Sequence, residues 1–399
     1  MIAPLRILMI SPQFHPLTGG YERAAERLSH SLLARGHHVE VVAERRDSAW
    51  ASREESGGLL INRIWCVHRR RLHVATSSIS LFLFFLMNGR RFDVFHVHQM
   101  GWPASLTILC GRMLGRPVAL KLTSTEVLGI NSLISDAPLA RFQCELHRSI
   151  DICLATSDRA AREASSFGIP PRNIKRIPNL LDTDFFRPLD PEDRAAVRRR
   201  LGVREEFLAI AVSRLDPVKH YEMMIEAWER FALEKEQVKL VIVGDGPIES
   251  ELRERAAKSS ACSSIDFVGA VQDPAPWYQA SDIFLLSSQL EGLSNSLMEA
   301  LSSGLPIIST RISGSEDVIG ETEAGALVEV GDSAAMAMEL GRFHEDADLR
   351  LACASRARKY ATDHYSAPIV VEKIEAAYKC SIERIKTTSR KSNSPAHQK

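Results

Sequence analysis

Two carboxylates, Glu291 and Glu299, lie eight residues apart in a segment that is otherwise rich in apolar residues and serine. On one continuous helix that spacing would turn the two side chains about 80° away from each other. We therefore expect Glu291 in a loop and Glu299 in the first turns of the helix that follows. The same spacing also fits two solvated glutamates on an ordinary strand-loop-helix unit.

The helix that carries Glu299 is predicted to begin at Ser294 or Asn295 and to end at Gly304, before Pro306. Free backbone amides in its first turn bear a partial positive charge, which suits a phosphate group. A phosphate flanked by carboxylates makes chemical sense if the ligand also carries hydroxyl groups, as a nucleotide sugar does. Open parallel sheets bind such ligands beyond the carboxyl ends of their strands.

Two cationic residues, Arg214 and Lys219, follow an apolar strand that is predicted at 208–213. One guanidinium and one ammonium at the end of a strand would bind a diphosphate well, although both would also be ordinary as surface charges. The nearby Gly244-x-Gly246 is not a dinucleotide-binding fingerprint, because no third glycine closes it and position 249 is a glutamate.

The N-terminal part of the chain offers weaker candidates. Gly19 and Gly20 precede a predicted helix and would let a phosphate approach the backbone, or they form a plain turn. His96 and His98 share one face of a predicted strand, but no third ligand at a useful spacing supports a metal site. We expect His98, at the carboxyl end of that strand, to reach the binding crevice.

Strands and helices alternate along the chain, which predicts parallel, doubly wound sheets. A chain of 399 residues is too long for one typical core. We expect an α/β protein with two Rossmann-like domains that face each other across a cleft. The predicted domains are residues 1–188 and 189–365. A helix at 366–385 would pack back on the first domain, and the basic residues 386–399 would form a disordered tail.

The charge is unevenly divided along a chain whose net charge is zero. Residues 1–188 contain 24 Lys and Arg residues against 16 Asp and Glu residues, and the remainder contains 26 against 34. A basic first domain indicates an anionic partner, such as a phospholipid surface or a pyrophosphate-linked substrate, or merely a surplus of surface arginine. We expect no nucleic-acid partner.

Seven scattered cysteines without a pair at metal-binding spacing indicate reduced thiols in a cytoplasm. The first residues lead almost directly into a predicted strand, without the charged and apolar regions of a signal peptide, so we expect none. The apolar stretch Ile79 to Met87 is too short to span a bilayer. With the basic residues 68–71 it would suit a membrane surface, although packing on the sheet is the simpler interpretation. We expect a cytoplasmic protein, with peripheral attachment to the inner face of the membrane as an open alternative.

With these elements placed, the sequence resembles the family 4 glycosyltransferases, which are retaining enzymes of the GT-B fold and are also grouped as glycosyl transferases group 1. The resemblance covers nearly the whole chain and is sharpest from residue 169 to residue 365. It rests on the order and spacing of short motifs: Gly19-Gly20, His96-x-His98, Ile177-Pro-Asn179, Asp182, Phe186-x-Pro188, Ser213-Arg214, Lys219, Val243-Gly-Asp-Gly246, Phe267-x-Gly269, Tyr278, Ala280-x-Asp282, Ser288-x-x-Glu291-Gly292, Glu299-Ala300, Gly304-x-Pro306 and Gly314-x-Glu316.

The resemblance implies a role for each candidate residue. Arg214 and Lys219 would bind the diphosphate of a nucleotide-sugar donor, Glu299 its ribose and Glu291 its sugar, and Arg214, Lys219 and Glu291 would be the catalytic residues. The base would stack near Val268 to Val271, and no metal or other cofactor would be required. Further donor-binding residues would be Gly20, Gly269, Gly292, Leu293, Ser294, Asn295 and Ser296.

One departure from the family concerns the acceptor side. Many members carry a histidine in the loop after the strand that ends here at Leu122, where this chain has 123–126, TSTE. We expect His98, Thr125 and Glu126 to line the acceptor side.

The resemblance implies transfer of a hexose from a UDP, GDP or ADP sugar to a hydroxyl group of a glycan or a lipid-linked acceptor. The stereochemistry would be retained, and the product would belong to a cell-surface polysaccharide, a lipopolysaccharide or a glycolipid. Two alternatives remain: a nucleotide-sugar epimerase or hydrolase of the same architecture, and a non-catalytic member that binds glycan.

Overall fold

The computed structural model describes residues 3–16, 20–67, 69, 72–98, 100–122, 139–233 and 235–392. The chain forms two compact units. The first unit comprises Met1–Leu180 together with Ala367–Lys399, and the second unit comprises Leu181–Ser366. The second unit thus begins earlier than the boundary expected after residue 188.

The first unit is built on one sheet. Its strands are β1 (Arg6–Ile10), β2 (His38–Arg45), β3 (Arg53–Ser56), β4 (Leu59–Trp65), β5 (Val94–Val97), β6 (Val118–Leu122), β7 (Ile152–Ala155) and β8 (Ile174–Arg176). They lie in the order β3-β4-β2-β1-β5-β6-β7-β8, and the described pairs are parallel apart from β3 with β4. The helices between them are α1 (Gly20–Ala34), α2 (His73–Asn88), α3 (Trp102–Leu114), α4 (Ala140–Arg148) and α5 (Asp158–Phe167).

The second unit repeats the same design with an entirely parallel sheet of six strands. These are β9 (Phe207–Val212), β10 (Val238–Val243), β11 (Ile265–Gly269), β12 (Ile283–Leu286), β13 (Ile307–Thr310) and β14 (Gly325–Val328), in the order β11-β10-β9-β12-β13-β14. Its helices are α6 (Pro191–Leu201), α7 (Tyr221–Ala232), α8 (Glu249–Ala257), α9 (Ala275–Ala280), α10 (Asn295–Ser302), α11 (Ser313–Thr322), α12 (Ser333–Glu345) and α13 (Ala347–Tyr365).

The central strands are apolar on both faces because helices cover both sides of each sheet. In β1, Leu8 and Ile10 enter one core cluster, while Ile7 and Met9 enter the cluster on the opposite face. In the second unit, Trp228 of α7 packs on one face and Leu297 of α10 on the other. Both units are therefore doubly wound, as the alternation of elements predicts.

The last helix, α14 (Ala367–Ser392), belongs to the first unit. Its Ile374 and Tyr378 are buried against the face of the sheet that carries Ile7. Arg35 Nη2 donates to Glu375 Oε2 of this helix at 2.9 Å, and His37 Nε2 lies 2.9 Å from Glu375 Oε1. The hydrogen bond from Arg35 is the main reason why the pKa of Glu375 is lowered.

The helical backbone continues to residue 392, so the prediction of a disordered tail from residue 386 is wrong for 386–392. Residues 393–399 lie outside the described residues. Among the described helices, none has both the length and the apolar character needed to cross a membrane.

Candidate functional site

The strand order of the second unit reverses between β9 and β12. From β9 the chain moves outward through β10 and β11, whereas from β12 it moves the opposite way through β13 and β14. In open parallel sheets, the loops at the carboxyl ends of the two strands that flank such a reversal form a crevice for ligands. The loops after β9 and β12 therefore define the candidate site.

The loop after β9 carries both cationic candidates. Arg214 is 71% exposed, and its Nε lies 3.0 Å from Asp216 Oδ2. Lys219 ends a short 3₁₀ turn, and only 15% of its side chain is exposed. The hydroxyl of Tyr221 lies 2.8 Å from the hydroxyl of Ser213, which ties the two ends of this loop together. Burial raises the pKa of Tyr221, so its hydroxyl stays protonated at neutral pH.

The loop after β12 places a carboxylate on Lys219. Lys219 Nζ donates a hydrogen bond to Glu291 Oε1, and the Ser288 hydroxyl donates to Glu291 Oε2 at 3.1 Å. The Ser287 hydroxyl also donates to the Lys219 carbonyl oxygen at 2.8 Å, which fastens the two loops together. A cation and a carboxylate are thus fixed side by side where the strand order reverses.

Helix α10 begins directly after this loop and carries Glu299. Ser294 is its N-cap residue, but the Ser294 hydroxyl lies 2.8 Å from Ser296 Oγ and does not cap a backbone amide. The amides of the first turn therefore keep their capacity to bind an anion. Glu299 is buried, and its Oε2 accepts a hydrogen bond from the Tyr278 hydroxyl at 3.2 Å. The prediction that Glu291 lies in a loop and Glu299 in a helix is confirmed.

Two glycines allow backbone segments to approach each other closely around this crevice. A Cβ atom on Gly314, in the first turn of α11, would lie 2.1 Å from the carbonyl oxygen of Gly292. A Cβ atom on Gly244, after β10, would lie 1.9 Å from the carbonyl oxygen of Ser213. The glycine after β10 therefore has a packing role, which agrees with the missing dinucleotide fingerprint.

The other donor candidates lie along the same edge of the sheet. Gly269 ends β11 with a φ of +83°. Gly292, Leu293, Asn295 and Ser296 belong to the loop and first turn already described. Glu316 of the Gly314-x-Glu316 motif lies in α11, because that helix already begins at Ser313.

The first unit places its candidates less openly. Gly20 begins α1. His98 is only 1% exposed; its ring stacks on that of His96 with centroids 4.6 Å apart, and its Nε2 lies 3.1 Å from Met9 Sδ. His98 is therefore buried beside His96, and its contribution to the acceptor side stays a prediction. Thr125 and Glu126 lie outside the described residues.

Lys121 in β6 was not expected as a candidate from the sequence, although it is a charged residue with only 3% of its surface exposed. The strand around it is apolar, and the available signal was a single lysine within the segment 117–122, PVALKL. A solitary charge at a buried position requires an explanation, because lysine is rarely buried without a partner.

Family models match both parts of the chain. Residues 193–360 match the model described as Glycosyl transferases group 1, and residues 19–180 match the model described as Glycosyl transferase 4-like domain. The chain belongs to the family 4 glycosyltransferases. The family assignment predicted from the sequence motifs is thereby confirmed, and with it the expectation of a transferase.

Curated relatives agree with this assignment. The glycosyltransferase is 27% identical over 289 residues to the N-acetyl-alpha-D-glucosaminyl L-malate synthase of Bacillus anthracis, covering 72% of this chain and 74% of the relative. It is 25% identical over 378 residues to the GDP-mannose-dependent alpha-(1-6)-phosphatidylinositol monomannoside mannosyltransferase of Mycobacterium tuberculosis, covering 90% and 94%.

A solved structure with the same fold is that of HepE from Anabaena in complex with UDP. It matches this glycosyltransferase with a TM-score of 0.76 at 17% sequence identity, over 95% of this chain and 100% of that chain. The fold is thus GT-B, with two parallel-sheet α/β domains, as predicted.

Proposed function

We propose that this glycosyltransferase moves a hexose from a nucleoside diphosphate sugar to a hydroxyl group of a glycan or lipid-linked acceptor, with retention at the anomeric carbon. The names of its relatives support a nucleotide donor, since one is GDP-mannose-dependent and the structure of HepE contains UDP.

The observation that carries this proposal is the contact between Lys219 and Glu291 beside the uncapped first turn of α10. Departure of the diphosphate is the costly event, because negative charge builds on its β-phosphate as the glycosidic bond breaks. Lys219, Arg214 and the α10 amides supply positive charge for that group. A well-placed donor of this kind contributes about 3 kcal/mol to the transition state.

The carboxylates take the neutral parts of the donor in this scheme. Glu291 binds hydroxyl groups of the sugar, and Ser288 holds its second oxygen in place. Glu299 binds the ribose hydroxyl groups, with its carboxylate oriented by Tyr278. The base stacks near Val268 to Val271, beside Gly269. Gly20 contacts a phosphate of the donor or the acceptor.

The cationic side chains and amides do the work that a divalent ion does in other enzymes that transfer from nucleotides. We therefore propose that no metal is required. Transfer should proceed at an unchanged rate in excess EDTA. If EDTA abolished transfer and added Mg²⁺ or Mn²⁺ restored it fully, this proposal would be contradicted.

A thermal-shift panel of UDP, GDP and ADP sugars tests the donor proposal first. A ligand at 100 times its dissociation constant stabilises the folded state by about 2.7 kcal/mol, which a melting curve resolves easily. We expect one nucleotide series to stabilise the wild type but not Arg214→Ala or Glu299→Ala. Wild-type stabilisation of both variants would mean that the donor residues are assigned wrongly.

Product analysis then separates transfer from the alternatives of the same architecture. With donor and acceptor, NMR of the product should show the anomeric configuration of the donor sugar. Without acceptor, a hydrolase would release free sugar and an epimerase would return an altered nucleotide sugar. Rapid formation of either without acceptor would overturn the transfer proposal.

We also propose that the acceptor is lipid-linked and is reached at an anionic membrane surface. Two helices of the first unit expose apolar side chains. Helix α2 exposes Ile79, Leu83, Leu86 and Met87, and helix α3 exposes Leu109 and Met113. The opposite side of α2 packs inward, because its Leu81 and Phe85 are buried. Packing on the sheet, the simpler interpretation of this segment, therefore describes only one face of the helix.

The charges around the exposed apolar residues of α2 and α3 favour a lipid surface as their partner. Neither α2 nor α3 contains an acidic residue, while Arg90, Arg91 and Arg112 beside the apolar residues are exposed. Apolar side chains framed by arginine match the boundary between acyl chains and anionic headgroups. The acceptor of the mycobacterial relative is itself named as a phosphatidylinositol mannoside.

Sedimentation with vesicles tests the membrane proposal. The wild type should bind phosphatidylcholine vesicles that contain phosphatidylglycerol more tightly than pure phosphatidylcholine vesicles. A Leu83→Asp, Leu86→Asp double variant should bind at least tenfold more weakly. Met338→Asp, at a still more exposed apolar residue of the second unit, should bind as the wild type does. Equal binding of both vesicle types, or wild-type binding by the double variant, would contradict the proposal.

A further inference from the structure

The sheet of the first unit carries a buried cation near its carboxyl edge. Lys121 is the penultimate residue of β6, and the parallel pairing of His96 with Ala119 and of Val97 with Leu120 places it next to His98. It is only 3% exposed. Among the described residues, none accepts a hydrogen bond from its ammonium group or forms an ion pair with it.

The neighbours of Lys121 do not compensate its charge. His96 Nδ1 is hydrogen-bonded to the Tyr378 hydroxyl, and His96 Nε2 is buried without a hydrogen-bond partner. Burial lowers the pKa of His96 to about 3 and lowers that of His98 well below its usual value, so both rings are neutral at pH 7. Burial also lowers the pKa of Lys121 to about 8, which leaves it mostly protonated at pH 7.

A buried ammonium group without a counterion is costly, and proteins keep such groups mainly where function requires them. The position of Lys121 agrees with a function. The strand order of the first sheet reverses between β1 and β5, and Lys121 lies on the strand next to β5, near its carboxyl end. That edge of an open parallel sheet is where ligands bind.

We propose that Lys121 and His96 form a binding site for an anionic group of a substrate, a phosphate or a carboxylate. The ammonium group supplies the charge. When the Tyr378 hydroxyl donates to His96 Nδ1, His96 Nε2 carries the ring proton and donates a second hydrogen bond to the anion. The anionic group belongs to the acceptor. The site consists of residues of the first unit and does not depend on the roles of Arg214, Lys219, Glu291 and Glu299.

Two neutral variants of the full-length chain, Lys121→Met and Lys121→Gln, test the site, so that a packing defect in one of them does not decide the result. Lys175→Met, at an exposed lysine of β8 in the same unit, is the matched control. Inorganic phosphate is titrated against each protein by thermal shift and calorimetry, with sodium chloride at equal ionic strength as the salt control.

The wild type and Lys175→Met should bind phosphate in both units, so calorimetry should resolve a site that the Lys121 variants lack or that binds at least tenfold more weakly in them. Phosphate should therefore raise the melting temperature of either Lys121 variant less than that of the wild type. Wild-type phosphate affinity in both Lys121 variants would overturn the proposal.

Titration with inorganic pyrophosphate separates this site from the donor site of the second unit. The Lys121 variants should lose the phosphate site of the first unit and keep pyrophosphate binding, which Arg214→Ala should weaken. Wild-type pyrophosphate binding by Arg214→Ala would contradict the donor site of the second unit alone, and the phosphate result would stand.

Discussion

Each unit carries a lysine near the carboxyl edge of its sheet, and the two lysines have opposite surroundings. Lys219 is partly exposed and is neutralised by Glu291, whose second oxygen is held by Ser288. Lys121 is buried, and no described residue neutralises it. A paired cation is well positioned at little electrostatic cost, and a ligand must compete with its partner. A lone buried cation destabilises the empty protein and favours any anion that reaches it.

Removal of the paired cation should have the largest effect. Lys219→Met deletes positive charge where the leaving diphosphate becomes more negative, and it leaves Glu291 without its partner. We expect the rate of transfer at saturating donor to fall by about 10²- to 10³-fold. Release of nucleoside diphosphate measures this rate.

Lys258→Met is the control for that comparison, because Lys258 is an exposed lysine of the same unit whose partner is the exposed Glu254. It should transfer at the wild-type rate. A Lys219→Met enzyme with undiminished turnover would remove Lys219 from the catalytic residues.

The lone cation can be tested through stability. Because the pKa of Lys121 is lowered to about 8, the folded protein binds this proton less tightly than the unfolded chain does. The destabilisation that the buried charge of Lys121 causes is therefore complete at pH 7. It decreases as the pH rises above about 8 and disappears above the pKa that lysine has in the unfolded chain. Lys121→Met should be more stable than the wild type by about 3 kcal/mol at pH 7.

Urea unfolding at pH 7 and at pH 9.5 measures this difference, which should shrink at the higher pH. Among the described residues, the titratable groups that interact with Lys121 are His96 and His98, and Tyr378 is hydrogen-bonded to His96. All three are present in both proteins, and burial keeps each of them neutral in the folded state over this range. An unchanged difference between the two pH values would show that Lys121 stays protonated in the folded protein up to pH 9.5, so that its pKa is not lowered.

Gly314 tests whether the loop that holds Glu291 must be placed accurately. Gly314→Ala would force a methyl group onto the backbone oxygen of Gly292, so we expect a loss of about 1 to 3 kcal/mol in stability and weaker donor binding. Gly320→Ala, in the same helix, meets open space and should gain about 0.5 to 1 kcal/mol. Thermal unfolding with and without donor measures both variants, and similar behaviour of the two would disprove the steric argument.

The contact between Glu375 and Arg35 should give the smallest effect. Arg35 is partly exposed, so Glu375→Gln should cost about 1 to 2 kcal/mol. Since the pKa of Glu375 is lowered, its contribution is full above the ordinary glutamate value and is lost as the pH falls through the lowered value.

The acid limb of the stability profile should therefore be shallower for Glu375→Gln than for the wild type. Unfolding midpoints between pH 3 and pH 7 would show it. Glu372→Gln, an exposed residue of the same helix, should retain the wild-type slope. A wild-type slope in Glu375→Gln would mean that the carboxylate is not stabilised by Arg35.

Local spacing was enough to predict much of the site. The turn of a helix separates Glu291 from Glu299, and Gly304, with a φ of +70°, ends α10 where a glycine was expected to end it. Because these features depend on neighbouring residues, they could be inferred from sequence. The contact of Lys219 with Glu291 spans 72 positions and follows from the pairing of β9 with β12, which no local pattern specifies.

Burial was harder to foresee than position. His98 was placed correctly after β5, but its exposure depends on the layer that contains Met9, Tyr378 and α14, which comes from the far end of the chain. Lys121 shows the same limit, since its strand was predicted while the absence of a described counterion was not. The helical residues 386–392 were expected in the tail because polar composition alone does not reveal that a helix continues.

Helix α14 also sets an order on the synthesis of this protein. During translation, residues 1–180 emerge long before the helix that covers Ile7 and its neighbours, and the whole second unit is made in between. At ordinary elongation rates that interval is roughly 10 to 40 s. During this interval the first unit lacks α14, so part of its core stays uncovered. The second unit is one continuous segment, and it can therefore complete its fold before the first unit does.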